Sequence, residues 1–365
     1  MGGNEKMKRK VYVVYGGKSA EHQVSIDSAL NILNELNKDF YDVFAVYITQ
    51  DGKWNEPFQV GNKGVQREQL VIETDLELRM SVSQFFRLDF DEHSIIFPAL
   101  HGTFGEDGKL QGMLEMLDMP YVGNEVIASA VGMDKVMTRK ILAVHDIPQT
   151  SYVYFSRELY IDDEIYYMEL VKNEIGFPCY VKPANMGSSV GISHCRDELG
   201  LKQAISTAFL FDNKILIEKE ILGKEVIVGV TGNNHMLRCS LAGEWQREQQ
   251  FFDYEDKYLD DHLTPQISAL ISDETYAKLC NYAKLAFLAL DGAGLMRVDF
   301  FVTEEEDIYL NEVNTLPGFT KHSMFPVLFE KTEGLSYSKL LDRLIDLGFD
   351  AYQKRNKLQF RRMKA

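Results

Sequence analysis

Three oxygen-bearing side chains, Asp299, Glu312 and Asn314, fall on two strand-like segments, LMRVDFFV (295–302) and DIYLNEVNT (307–315). The turn between them, TEEED (303–307), has no apolar residue. An antiparallel hairpin closed at that turn sets Asp299 opposite Glu312. Alternation then puts Asn314 on the face of Glu312, and Arg297 on the face of Asp299. Hard cations such as Mg²⁺ take oxygen ligands, usually one or two protein carboxylates plus substrate phosphates. The plainer alternative is a wet sheet face. Arg297 and the turn-forming exit NTLPGF (314–319) favour a metal site.

A second cluster is KPANMGSSVGI (182–192), where Lys182 ends an apolar strand and a Gly/Ser-rich loop follows. Such a loop lets backbone N–H groups approach a phosphate while the lysine supplies a point charge. A mobile surface turn has the same composition. The P-loop pattern is absent, because no GK[ST] occurs. A third cluster is IEKEI (217–221), where Glu218 and Lys219 are adjacent on an apolar strand. Alternation sends one inward and the other outward, and a charged edge strand would look the same.

The elements that must carry these residues alternate. VYVVY (11–15) ends at Gly16-Gly17, and Ser25 stands before a helical stripe of Ile26, Leu30, Leu33 and Leu36, as a cap would. YDVFAVYI (41–48) and SIIFPAL (94–100) read as strands, and LQGMLEMLDM (110–119) as a helix. This is an open α/β unit with a parallel sheet, whose ligand groups belong in the loops 16–25 and 101–108 beyond the strand ends. The polar stretch 57–93 reads as an insertion. Further on come a helix over 126–145, strands around 179–195, a helix over 197–210 and a strand over 214–221. Then follow the strand EVIVGVTG (225–232), helices over 273–290 and 336–347, and a basic tail that reads as a solvated end. The expected division is 1–125, 126–223 and 224–365, an N-terminal open α/β domain followed by a two-part α+β unit.

Composition bounds the rest. The 365 residues carry 39 basic and 55 acidic side chains, a net charge of −16. A nucleic-acid surface needs a basic face, so none is expected. No apolar run reaches the ~20 residues of a membrane span, and no signal-peptide pattern opens the chain, so the cytoplasm is the expected compartment. The four cysteines have no CxxC spacing and read as reduced thiols.

Five motifs in order, GGKSAEHQVS (16–25), HGTFGEDG (101–108), KPANMGSSVG (182–191), FDYEDKY (252–258) and NEVNTLPGFTKHS (311–323), resemble those of the D-alanine–D-alanine ligase family, within the ATP-grasp superfamily. The resemblance covers nearly the whole chain. It implies an ATP-grasp fold for the second and third parts, and a reaction in which ATP activates one D-alanine as an acyl phosphate. The amine of a second D-alanine then displaces phosphate, giving a dipeptide for peptidoglycan precursors. It implies phosphate contacts from Lys135, Lys182 and Lys257, and adenine or ribose contacts from Glu218, Lys219, Ile221 and Glu225. It also implies two Mg²⁺ (or Mn²⁺) at Asp299, Glu312 and Asn314. Glu21 would take the first ammonium with His101 nearby, and Ser188 and Tyr258 would bond with Glu21. Arg297 and the N–H of Gly318 would stabilise the tetrahedral oxyanion. Ser323 and the Met324 backbone would hold the second carboxylate. The stretch 244–262 would be a lid, and a homodimer is implied.

Related ligases that use D-lactate or D-serine alter the lid, in one lineage by replacing the tyrosine with Phe. FDYEDKY keeps the D-alanine pattern. Departures at His22, Gln23, Met186, Leu316 and Lys321 touch none of the assigned roles. A regulatory nucleotide-binding module would have lost a metal ligand or Arg297. A dinucleotide oxidoreductase would need GxGxxG in the first loop, which is absent.

Overall fold

The computed structural model describes residues 8–234, 236–245 and 265–359. Its first sheet has the order β3-β2-β1-β4, with β1 (Arg9–Gly16) parallel to β2 (Tyr41–Ile48) and β4 (Ser94–Pro98), and the short β3 (Phe58–Val60) antiparallel at one edge. A central parallel strand is covered on both faces, which is why VYVVY is apolar without alternation. The crossover between β1 and β2 is α1 (His22–Glu35), which buries Ile26, Ala29, Ile32 and Leu33. This helix begins at His22, so Ser25 is not its cap. Ser25 Oγ instead accepts the Gly16 N–H at 2.7 Å and donates to the Ala99 carbonyl at 2.6 Å. A small hydroxyl one turn into the helix thus stitches together the ends of β1 and β4, where the loops 16–25 and 101–108 start.

The stretch 57–93 contributes β3 and one turn of helix, α2 (Leu78–Ser81), and buries Leu70 and Phe85. Its Arg67 pairs with Asp27 at 2.7 Å and donates to Gln23 at 2.7 Å, both on α1. After β4 comes α3 (Lys109–Met116). The helix expected over 126–145 is two helices, α4 (Val126–Met133) and α5 (Lys135–Ala143). Asp134 breaks them, because its carboxylate accepts the Val136 and Met137 N–H groups as an N-cap.

The second sheet is antiparallel, in the order β5 (Tyr152–Ser156), β8 (Lys214–Lys219), β6 (Cys179–Pro183), β7 (Ser193–Cys195). Helices α6 (Arg157–Asp162), α7 (Glu164–Glu174) and α8 (Glu198–Ala208) accompany it; Met168, Val171, Leu201 and Ile205 from α7 and α8 fill its core with Val181 and Ile217. The third sheet has the order β11 (Pro265–Ile267), β10 (Arg238–Trp245), β9 (Lys224–Asn233), β12 (Ala293–Val302), β13 (Ile308–Asn314), all antiparallel. Its inner face, with Val226, Val228, Met296, Val298 and Phe300, packs on α9 (Asp273–Ala289) through Leu279, Ala283 and Phe287. The intervening residues of β12 therefore face the other way.

Two helices end the chain, α10 (Met324–Glu333) and α11 (Tyr337–Asn356). The last is longer than the 336–347 expected, because its end is anchored. Arg355 pairs with Glu125 at 2.7 Å and lies over Tyr121. The helix buries Leu340, Leu341, Leu344 and Ile345 in the core of the first sheet. Among the described residues, no helix is long and apolar enough to cross a membrane.

Candidate active site

The β12–β13 hairpin has the register read from sequence. Asp299 is opposite Glu312, and Arg297 is opposite Asn314. Just past Asp299 the register slips, so that Phe300 pairs with Leu310. A bulge re-aims a side chain, and here Asn311 Oδ1 accepts from Lys182 Nζ at 3.2 Å. Arg297 holds Asp299 with two parallel bonds of 2.8 and 2.7 Å. Burial pushes the Asp299 carboxyl up, and Arg297 works against that shift. Lys135, the first residue of α5, reaches Glu312 at 3.2 Å and donates to the Met186 carbonyl at 2.7 Å. One lysine thus ties the hairpin to the glycine loop.

Two cavities meet here. The smaller lies between the second and third sheets. Lys182, Glu218, Lys219, Ile221 and Phe301 line it, together with Tyr180. The larger is walled by Glu21, Ser188, Arg297, Asp299, Asn314, Gly318, Ser323 and Met324. Lys135, Met186, Gly187, Glu225 and Glu312 line both, so the cavities are contiguous.

In the smaller cavity the alternation expected for Glu218-Lys219 holds. Glu218 is 2% exposed and Lys219 is exposed. Glu218 accepts from Arg139 and pairs with Lys182 at 2.5 Å. Burial alone would raise its pKa, but Arg139 and Lys182 outweigh burial and hold it below the usual value. Arg139 is fully buried and also donates to the Thr150 carbonyl at 3.3 Å.

The larger cavity is built differently. Glu21 is 7% exposed and accepts the Ser188 hydroxyl. Two glycines make room for it. A Cβ on Gly187 would come within 2.8 Å of Glu21 Oε2, and one on Gly102 within 2.6 Å. Gly102 also has φ +73°, a region open to glycine. The Glu21 pKa is pushed up to about 7, first by burial and then by the nearby Glu106. Glu106, also buried at the wall, is pushed up to about 8 by burial.

His101 does not line either cavity. It is buried behind the wall, bonded through Nδ1 to the Leu316 carbonyl at 3.0 Å and through Nε2 to Ser28 Oγ at 2.8 Å. Burial holds its pKa down, and a neutral ring donating from Nδ1 satisfies both bonds. Ser28 Oγ accepts the Phe319 N–H at 3.1 Å. His101 therefore positions the 314–319 exit that carries Gly318. At the far wall Ser323 and Met324 begin α10, and Ser323 Oγ accepts the Thr320 N–H at 2.9 Å. A helix N-terminus facing a cavity suits a carboxylate.

Of the residues singled out from sequence, all but three line the two cavities. His101 stands behind, and Lys257 and Tyr258 lie outside the described residues, as does most of the expected lid 244–262. Glu106, Arg139 and Asn311 are additions. The motif HGTFGEDG contained Glu106 and NEVN contained Asn311, so a signal existed for both. Arg139, a basic residue amid KVMTRKILA, gave none.

The donor set at the hairpin fits a hard divalent cation. Asp299, Glu312 and Asn314 all open on the larger cavity. Among the described residues no three His, Cys, Asp or Glu side chains gather as a metal cage. The chain here offers two carboxylates and an amide oxygen, leaving the remaining positions to phosphate and water, the pattern of Mg²⁺ sites.

Residues 10–124 match the family model described as D-ala D-ala ligase N-terminus, and residues 141–346 match D-ala D-ala ligase C-terminus. The chain is 42% identical over 360 residues to a D-alanine–D-alanine ligase of Bacillus cytotoxicus, covering 97% of this chain and 99% of that one. It is 42% identical over 354 residues to one of Staphylococcus carnosus, with the same coverage. Among solved structures, the D-alanine–D-alanine ligase of Coxiella burnetii superposes with a TM-score of 0.77 at 31% identity, over 96% of both chains. The VanG D-Ala:D-Ser ligase of Enterococcus faecalis gives 0.77 at 30% identity, over 94% of this chain and 100% of that one.

Proposed function

Because this chain belongs to the D-alanine–D-alanine ligase family, we propose that it joins two D-alanines at the expense of ATP, passing through a D-alanyl phosphate and releasing ADP and phosphate. The dipeptide is a peptidoglycan precursor. The observation that carries this reading is the junction of the two cavities. A cavity holding Lys135, Lys182 and Lys219 and one holding Glu21, Asp299 and Arg297 share a wall that includes Lys135 and Glu312.

Each residue has a task that its surroundings support. Lys135 and Lys182 contact the ATP phosphates, while Lys219, Ile221 and Glu225 take the base and ribose. Glu218 holds Lys182 in place in that cavity. Asp299, Glu312 and Asn314 hold two Mg²⁺, for which Mn²⁺ substitutes; bound there, the ions neutralise phosphate charge as it shifts during transfer. Glu21 receives the ammonium of the first D-alanine, and a cation arriving there favours its ionised form. The α10 N-terminus with Ser323 and Met324 receives the second carboxylate. A carboxylate is a poor electrophile, and phosphorylation converts its oxygen into a leaving group. The second amine then attacks, and charge builds on the tetrahedral oxygen. Arg297 and the Gly318 N–H, both at the wall of the larger cavity, stabilise that charge. The guanidinium carries five donors, so two bonds to Asp299 do not exhaust it. Tyr258 and Lys257 complete the site from the lid. The enzyme works in the cytoplasm as a homodimer.

The test is formation of ADP and D-alanyl-D-alanine from ATP, Mg²⁺ and D-alanine. Adding D-lactate or D-serine in competition reads the second-substrate choice. A dominant mixed product would replace the D-alanine reading with that of a D-lactate or D-serine ligase.

A further inference from the structure

The four cysteines are scattered in sequence, yet the fold gathers them two by two. Cys179 on β6 and Cys195 on β7 are direct cross-strand partners, 0% and 1% exposed. The second couple joins β10 to α9. Cys280 Sγ approaches the Ser240 carbonyl at 4.0 Å, on the residue next to Cys239. Tyr276, one turn earlier on α9, donates to the same carbonyl at 3.0 Å, which fixes the helix against the strand. The Cys239 and Cys280 thiols are in hydrogen-bonding contact with each other, and both are partly exposed.

The two sulfurs are also unlike each other. The hydrogen bond from Cys239 pulls Cys280 down to about 7, helped by Tyr276 and Lys284 and opposed by burial. The same bond, with burial, pushes Cys239 up. Cys280 is thus the sulfur that ionises more readily, and Cys239 the one that keeps its proton longer. A thiolate is the nucleophile in sulfur oxidation, and a neighbouring thiol resolves the product.

We propose that Cys239 and Cys280 are a peroxide-reactive pair that closes reversibly into a disulfide between β10 and α9. The Cys280 thiolate attacks one oxygen of hydrogen peroxide, the O–O bond breaks, and hydroxide leaves. Cys280 is now a sulfenic acid. The Cys239 sulfur attacks that sulfur and expels its oxygen, which leaves as water with the Cys239 proton. Two thiols are oxidised and one peroxide is reduced to two waters. The crosslink lies on the α9 side of the third sheet, in the core with Val298 and Phe300, away from the face bearing Arg297 and Asp299. It closes a loop in the unfolded chain, so it raises the melting temperature. The other couple is sealed from solvent and stays reduced.

The experiment counts thiols in the whole folded protein at pH 7.5. The chain is exposed to a small excess of hydrogen peroxide, quenched with catalase, then denatured. The expected count falls from four to two, peptide mapping shows a Cys239–Cys280 link, and dithiothreitol restores all four. The melting temperature of the oxidised form rises by several degrees. In Cys239→Ser, a dimedone-type reagent traps sulfenic acid at Cys280, and Cys280→Ser leaves Cys239 unreacted. An unchanged count of four, a link through Cys179 or Cys195, crosslinked dimers, or reaction of Cys280→Ser at the wild-type rate each overturns the proposal.

Discussion

Two buried glutamates, one in each cavity, meet opposite fates. Glu218 is enclosed with Arg139 and Lys182 and held ionised below the usual range. Glu21 is enclosed with a hydroxyl and a second acid, Glu106, and pushed up to about 7. Burial is nearly equal, so neighbours decide the charge. In the cavity proposed for the nucleotide, Glu218 has its counter-ions in place before a ligand arrives. The cavity proposed for the amino acid leaves Glu21 without an ion pair among the described residues, and the proposed ammonium would supply one. On the proposed reading, the amino acid is recognised by a deficit and phosphate by a standing charge.

The contrast can be broken from either side. Arg139→Met leaves Glu218 buried with Lys182 alone and should cost about 3–5 kcal/mol of stability. Chemical denaturation reads this; a loss below about 1 kcal/mol would mean that Glu218 is not dependent on Arg139. Glu312→Gln removes one carboxylate from the shared wall and should lower kcat by roughly 10²–10³-fold, the scale for losing one electrostatic contact at a reacting centre. Its melting temperature should stay near that of the wild type. Retained turnover would remove Glu312 from the metal reading.

Glu21→Gln sharpens the other side. Below pH 7 the wild-type Glu21 is mostly protonated, so KM for the first D-alanine should rise about tenfold per pH unit as pH falls further. The Gln variant should show a raised KM without a break near 7. The smallest effect concerns Glu106, whose folded pKa of about 8 lies above its unfolded value of 4.5. The folded chain then binds more protons, so this group's stabilisation is full below pH 4.5 and lost as pH rises toward 8. Denaturation midpoints at pH 5 and pH 8.5 should lie closer together in Glu106→Gln than in the wild type. An equal spacing would separate Glu106 from the deficit.

What could be read from sequence was what repeats locally. The polar turn 303–307 sets Asp299 opposite Glu312, and the strand period of two puts Asn314 and Arg297 on the same face. The apolar run of β1 announced a covered parallel strand. What escaped depends on distance along the chain. Arg139 finds Glu218 across 79 residues and Asn311 across 172, and no spacing rule reaches that far. Ser25 looks like a helix cap because a hydroxyl before an apolar stripe usually is one; its real partners are Gly16 at the end of β1 and Ala99 just past β4. The break at Asp134 was visible in type but not in place, since good helix formers flank it. The slip beyond Asp299 that turns Asn311 toward Lys182 has no sequence mark.

The last helix has a consequence for how the molecule is made. Leu340, Leu341, Leu344 and Ile345 complete the core under the first sheet, and Arg9 at the start of β1 pairs with Asp346. During synthesis, β4 leaves the ribosome well over two hundred residues before α11 is made. At roughly 5–20 residues per second that is on the order of tens of seconds. Throughout that interval α1 alone covers part of that apolar face, and the remainder would be a natural client for a holding chaperone. A nascent chain stopped before α11 has its β12–β13 hairpin complete and the core under its first sheet unfinished.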